Sequence, residues 1–339
     1  MTETSRPPMS AYEQRAWSAL REREVKRQGG VLARAADWVE TGTQRAVEQV
    51  KRLPAAGAVT EFGDATIMKA LEGGFRAVFL PAVRSASLEA RTSKLRRAHA
   101  GLPDDVFAAL DLKDLDKGRP KLTLPFLGVL EGSLASLAIT GATVSATVSG
   151  GTTAAVAVGA VATDTIASLA LLGRAVAQVA VHYGYDPREP EEELFLMSVL
   201  NYASAGSSTA RTAALASISR LSQQMMRQAT WKQLGKDPLV KVIQRLFQTL
   251  GVKLTHKRLA NVVPLAGVVV AGGLSFHMLS SAMEDATRIY RARYLAEKHG
   301  LDWDDWVARG AQSDEGDPVT EANVTEINDL LDSIDHHSN

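Results

Sequence analysis

The 339-residue chain contains no cysteine, which excludes disulfides, thiolate metal sites, iron–sulfur clusters and cysteine nucleophiles together and leaves packing and polar contacts to hold the fold. It has no net charge either: Lys plus Arg and Asp plus Glu both number 38, so only the distribution of charge can point to a partner. Aromatic residues are few, at 6%. The phosphate loop G-x-x-x-x-G-K-[ST], the dinucleotide loop G-x-G-x-x-G, the nucleophile elbow G-x-S-x-G and the zinc helix H-E-x-x-H are all missing. No run alternates apolar and polar residues as a half-buried strand does. The expected fold class is therefore all-α, a single multi-helix domain over residues 12–300 with no cofactor and no metal. The first twenty residues lack a basic segment followed by an apolar core, so a cytoplasmic location is expected, extending to the inner membrane face for a peripheral protein.

What is present is 45% hydrophobic residues, enough for a full core in a chain of this length. Residues 1–11 carry two prolines and read as a flexible leader. From Tyr12 to Leu53 apolar residues recur at three- and four-residue steps, with a break expected at Gly29–Gly30 and a stop at Pro54. The basic run Arg91–His99 reads as an exposed helix end, and GLPDDVFAAL after it as a turn followed by an acidic helix start.

Two apolar blocks stand out. Residues 132–163 carry no charge, are dominated by Ala, Gly, Ser and Thr, and are preceded by a G-x-x-x-G at Gly128 and Gly132. Small residues let helix backbones approach closely. The first reading is a buried Gly/Ala-rich helical hairpin turning near Ser149–Gly151; a hairpin that dips into a bilayer and a double span remain as alternatives. The second block, residues 262–281, is also uncharged, with glycines at 267, 272 and 273.

Between them the charge becomes one-sided. Residues 205–258 hold ten Lys or Arg and one acid, Asp237. Apolar positions at helical spacing (Leu215, Ile218, Leu221, Met225, then Leu239, Ile243, Leu246, Leu250) predict buried stripes with basic outer faces. Arg220, Arg227, Lys232, Lys236, Lys241, Arg245, Lys253 and Lys257 are the candidate contacts to anionic lipid or to a membrane-protein partner, against the plain alternative of a solvated face. Nucleic acid is disfavoured, because Trp231 and Phe247 are the large aromatics within this basic run and single-strand binders stack bases on several. From Gly310 onward eight acids stand without Lys or Arg. Residues 301–339 thus read as an acidic, mostly disordered tail, in which Val324, Ile327, Leu331 and Ile334 give a short amphipathic helix over 320–334 able to dock on the domain or on a partner.

The stretch HYGYDPREPEEELFL, from His182, offers the credible chemical cluster. His182, Asp186 and Glu191, with Glu189, Glu192 and Glu193, could supply a base or hard-metal oxygens for a hydrolase or metal-dependent enzyme. The structural reading is preferred: Asp186–Pro187 opens a turn, the glutamates suit a first helical turn, and Tyr183 and Tyr185 anchor the turn on the core. His277 in the second apolar block reads as a core residue, and His99, His256, His299 and the pair His336–His337 carry no catalytic assignment.

Three stretches in this order resemble the EcsC family of bacterial proteins: the Y-G-Y-D-P turn with its acidic helix start (Tyr183 to Phe195), V-P-L-A-G-V-V-V-A-G-G (Val263 to Gly273), and A-x-x-x-Y-R-x-R-Y-L (Ala286 to Leu295). The resemblance covers nearly the whole chain apart from leader and acidic tail. It implies a setting near membranes and secretion, since the family is named for a protein encoded beside ABC-transporter subunits. It implies no catalytic residues.

Overall fold

The first helix begins where the sequence supplies a cap. Ser10 Oγ accepts from Glu13 N (3.2 Å) while Glu13 Oε2 accepts from Ser10 N (3.0 Å), a reciprocal capping box that satisfies two otherwise orphaned donors. In the computed structural model residues 8–29, 67–120, 153–205, 208–226, 236–261, 270–301 and 318–336 are described. The expected hairpin turn at Ser149–Gly151, the G-x-x-x-G, the helical pattern from Leu32 to Leu53 and Pro54 lie outside them.

Every regular element among the described residues is helical, so the fold is all-α. Helix α1 (Ala11–Gly29) is followed by α2, a run over 67–84 with a π-helical turn at Phe75–Phe79 leading into Leu80–Arg84. Pro81 in that run has no N–H to donate, and the wider turn lies just before it. Three short helices follow: α3 (Leu88–Ala98), α4 (Val106–Ala109) and α5 (Leu112–Lys117). Each has a side-chain cap, from Ser87, Asp105 and Asp111 respectively. The long helices are α6 (Thr153–His182), α7 (Pro190–Ser204), α8 (Ser208–Met226), α9 (Lys236–Asn261) and α10 (Val270–His299), with α11 (Pro318–His336) last.

Helices α6 and α7 form the centre. α6 packs on α2, α7, α9 and α10; α7 packs on α8, α9 and α10 as well. Consistent with this, α7 is buried nearly all round, from Glu192 to Tyr202. α11 lies across α8 and α9 and touches α7, placing Ile327, Leu330 and Leu331 in the core. One 18-residue stretch among the described residues, Thr165–His182, is long and apolar enough to cross a membrane (mean hydropathy 1.4), and 72% of it is buried inside the protein. Core helices of this kind pass the same test of length and composition.

Small residues set the spacing of these helices. A Cβ on Gly173 of α6 would stand 2.6 Å from Phe79 Cε2 and 2.9 Å from Val83 Cγ2, and one on Gly74 would stand 2.6 Å from Ile166 Cδ1. Helices α2 and α6 therefore touch through glycine from both sides. The contact lets Phe79 reach Phe75 and Phe247, with ring centroids 5.9 Å and 4.8 Å away, which extends the same layer to α9. Replacing Gly173 with Leu should lower unfolding stability by about 1–3 kcal/mol or more, as overpacking does. A chemical denaturation midpoint equal to that of the parent chain would show that the helices can separate without cost.

Candidate functional site

The His182–Pro190 turn is built into the core by its aromatic side chains. Gly184 sits at φ +101°, and a Cβ there would lie 2.6 Å from Phe107 Cγ, so both conformation and space require glycine. On either side the hydroxyls reach across the fold. Tyr183 donates to Asp116 Oδ1 (3.0 Å) and Tyr185 to Glu297 Oε2 (2.9 Å). Asp116 also accepts from Tyr12 (2.8 Å) and pairs with Arg291 (2.7 Å), joining α1, α5, the turn after α6, and α10.

At the centre lies Arg293, 4% exposed. Its guanidinium is bonded to both Glu192 oxygens, Nη2 to Oε1 at 2.6 Å and Nη1 to Oε2 at 3.0 Å, while Nε donates to Glu297 Oε1 at 2.7 Å. It lies over the rings of Tyr185, with the centroid 4.1 Å away, and Phe195, 4.3 Å away. Burial opposes the charge, yet Glu192 and Glu297 hold Arg293 protonated well above the ordinary arginine range. Each guanidinium nitrogen thus has a carboxylate partner, as a buried ion requires. A second such centre joins α1 to α10: Glu13 accepts from Lys298 Nζ (2.9 Å) and Leu112 N (3.3 Å). Burial raises the Glu13 pKa, but hydrogen bonds from Lys298, Ser10 and Leu112 outweigh it and leave the carboxyl below its ordinary value.

The three residues of the alternative enzyme reading do different work. His182 is 3% exposed, packs edge-on to Tyr183 (centroids 5.0 Å apart) and is hydrogen-bonded with the Leu115 backbone. Burial, reinforced by Arg91, pushes its pKa down to about 3. Asp186 Oδ1 accepts from Arg188 N (3.0 Å), closing the turn before Pro190 starts α7. Glu191 stands in the first turn of α7, between exposed and buried. Glu193 pairs with Arg84 of α2. Among the described residues no three His, Asp or Glu side chains are grouped so as to hold a metal ion.

The basic face meets the acidic helix. Arg220 of α8 pairs with Asp332 of α11, and Arg245 Nη1 of α9 contacts Glu326 Oε1 (3.0 Å) and Oε2 (2.9 Å). Asn323 donates to Asn201 Oδ1 of α7 (3.0 Å), a buried contact beneath them. Lys241 is exposed, and Lys253 Nζ donates to Ser204 O (3.2 Å). Arg227 and Lys232 lie outside the described residues, as do the side chains of Lys236, Lys257 and Ile334. Sequence reasoning missed Arg293 and Glu297 as structural centres. A signal existed: Arg293 falls three residues after Tyr290 on the stripe that buries Met283, Ala286 and Tyr290, where an unpaired charge would be untenable.

The A-x-x-x-Y-R-x-R-Y-L helix and the Y-G-Y-D-P turn are therefore locked on each other through Arg293, Tyr185 and Phe195, and through Arg291, Asp116 and Tyr183. The EcsC protein family matches residues 112–295. The chain belongs to the EcsC family. It is similar to the uncharacterized protein YdbA of Bacillus subtilis (strain 168), 28% identical over 207 residues that span 60% of this chain and 69% of that one. No solved structure matches. Helix α11, beyond residue 295, lies outside the matched region.

Two expectations test these centres. Arg293→Ala should cost about 3–5 kcal/mol of unfolding stability, because Glu192 is left buried and unpaired; adding Glu192→Gln should recover part of the loss. Urea titration of Arg293→Ala, Glu192→Gln and the double variant measures this, and a double variant as unstable as the sum of the singles would deny the coupling. For His182 the native state refuses a proton that the unfolded chain accepts, so stability should fall as pH drops from about 6.5 toward the native value of about 3. His182→Gln should flatten the slope of denaturation free energy against pH across that window.

Proposed function

We propose that this EcsC-family chain is a non-enzymatic helical protein that associates peripherally with an anionic membrane surface, or with a membrane-embedded transport or secretion partner, through the basic outer face of α8 and α9. The observation that carries this reading is the seating of α11: Arg220 and Arg245 turn outward and each is met by a carboxylate. This face accepts anionic groups, and α11 is the competitor within the chain.

Magnitudes favour exchange at the rim. Exposed ion pairs contribute about 0.2–1 kcal/mol each, comparable with about 1 kcal/mol for each Lys or Arg near an anionic bilayer. The seat is held differently, by Ile327, Leu330 and Leu331, at about 1.5–3 kcal/mol per buried side chain. Neutralising the acids should therefore release the arginines while α11 stays in place.

The test is co-sedimentation with neutral and anionic vesicles over a salt series. The parent chain should pellet with anionic vesicles and less so as salt rises. Glu326→Gln with Asp332→Asn should strengthen binding, by roughly fivefold for each arginine released. Charge reversal at Lys241 and Arg245 should weaken it. Equal pelleting with both vesicle types, or with neither, would leave the face as a solvated surface.

A further inference from the structure

Helices α3 and α5 and the end of α6 meet around Gly118, where an arginine and a histidine stand close together. Arg91 of α3 is half-buried, and its Nε and Nη2 are shielded from solvent with no hydrogen-bond partner among the described residues. The position a Cβ would take on Gly118 lies 3.4 Å from Arg91 Nη1, 3.7 Å from Nη2 and 3.9 Å from His182 Cε1. Guanidinium and imidazole thus flank one spot above the Gly118 backbone. His182 Nε2, next to that Cε1, is buried and also has no partner among the described residues, so its bond with the Leu115 backbone runs through Nδ1.

Among the described residues, the charges acting on His182 are those of Arg91, Arg119 and Lys94, and Arg119 and Lys94 are both exposed. Asp116 is committed to Tyr12, Tyr183 and Arg291, and Asp114 to Lys117. Arg84, Arg288, Arg291 and Arg293 each face a carboxylate, and buried Arg174 donates to Ser85 Oγ; Arg91 has no such partner at Nε or Nη2 among the described residues. Shielded guanidinium N–H groups without an acceptor are costly, and a planar fork of them matches the oxygens of a phosphate-type anion.

We propose that Arg91, His182, Lys94 and Arg119 form a binding site for a small oxyanion of the phosphate class, supplied as a soluble phosphomonoester or as a lipid headgroup. The Arg91 fork grips two oxygens, and neutral His182 accepts from the protonated oxygen of a monoester through Nε2. Lys94 and Arg119 form the solvent-facing rim that draws the anion in. No residue of α8, α9 or α11 takes part, so the site stands or falls independently of the membrane face.

Calorimetric titration with inorganic phosphate and with glycerol 3-phosphate, at constant ionic strength, tests the site. Binding should weaken at least about tenfold in Arg91→Gln, the loss expected when charge-assisted bonds are removed, and should be unchanged in Arg97→Gln, an exposed arginine of the same helix. Gly118→Ala puts a methyl into the same spot without altering charge, at a backbone φ of −104° that any residue adopts, and should weaken binding too. It decides the matter if Arg91→Gln fails to fold. Vesicles of neutral lipid containing phosphatidic acid separate the sources. Arg91-dependent pelleting that glycerol 3-phosphate reverses identifies a headgroup; soluble binding with no Arg91-dependent pelleting identifies a free monoester. Equal affinity in the parent chain, Arg91→Gln and Gly118→Ala would mean an adventitious ion only and would overturn the proposal, as would no binding of any probe.

Discussion

A buried guanidinium with a carboxylate at each of its nitrogens is the constraint from which the arrangement of this protein follows. Arg293 cannot be buried alone, since an uncompensated ion in a low-dielectric interior costs several kcal/mol. Its burial requires Glu192 from α7, Glu297 from its own helix, and the rings of Tyr185 and Phe195, all in place together. That condition fixes the rotation of α10 against α7 and against the turn that precedes α7. With the rotation fixed, Arg291 meets Asp116, Tyr294 donates to the Leu110 carbonyl (2.6 Å), and Lys298 meets Glu13. One helix thereby gathers α1 and the α4–α5 segment on one side and α7 on another.

Packing and polar contacts divide the work. The glycine contacts between α2 and α6 and the phenylalanine layer to α9 bury surface and supply stability. The buried ion pairs add little net stability over apolar replacements of the same shape. A helix displaced by one residue would leave a charge without its partner, at a cost of about 3–5 kcal/mol for a broken buried pair. A chain without cysteine has no disulfide to add to that penalty.

Much of the architecture was legible in the sequence. Helical periodicity gave the all-α class and the stripes of α8 and α9, where Leu215, Ile218, Leu221, Leu239, Ile243, Leu246 and Leu250 are buried. The preference for a structural turn at His182–Glu193 follows from local chemistry, and the structure places Asp186 in that turn. The burial of Glu192 and Glu193 was not legible, because a run of glutamates at a helix start looks solvated until Arg293 and Arg84, about a hundred residues away on opposite sides, are brought to it. The Arg91–His182 juxtaposition was hidden for the same reason. Each residue is unremarkable in its own segment, and the spot between them exists once α3, α5 and α6 have met.

The pairing of Arg220 and Arg245 with α11 also bears on what neutrality means for this chain. Taking the eight acids beyond Gly310 from the total of 38 leaves 30, against 38 Lys and Arg, none of which lies in that stretch. The zero net charge is the sum of a cationic body and an anionic appendage of equal magnitude. An isoelectric point near 7.1 therefore describes the intact chain and neither of its parts, and a truncated body would behave on an ion-exchange column as a basic protein.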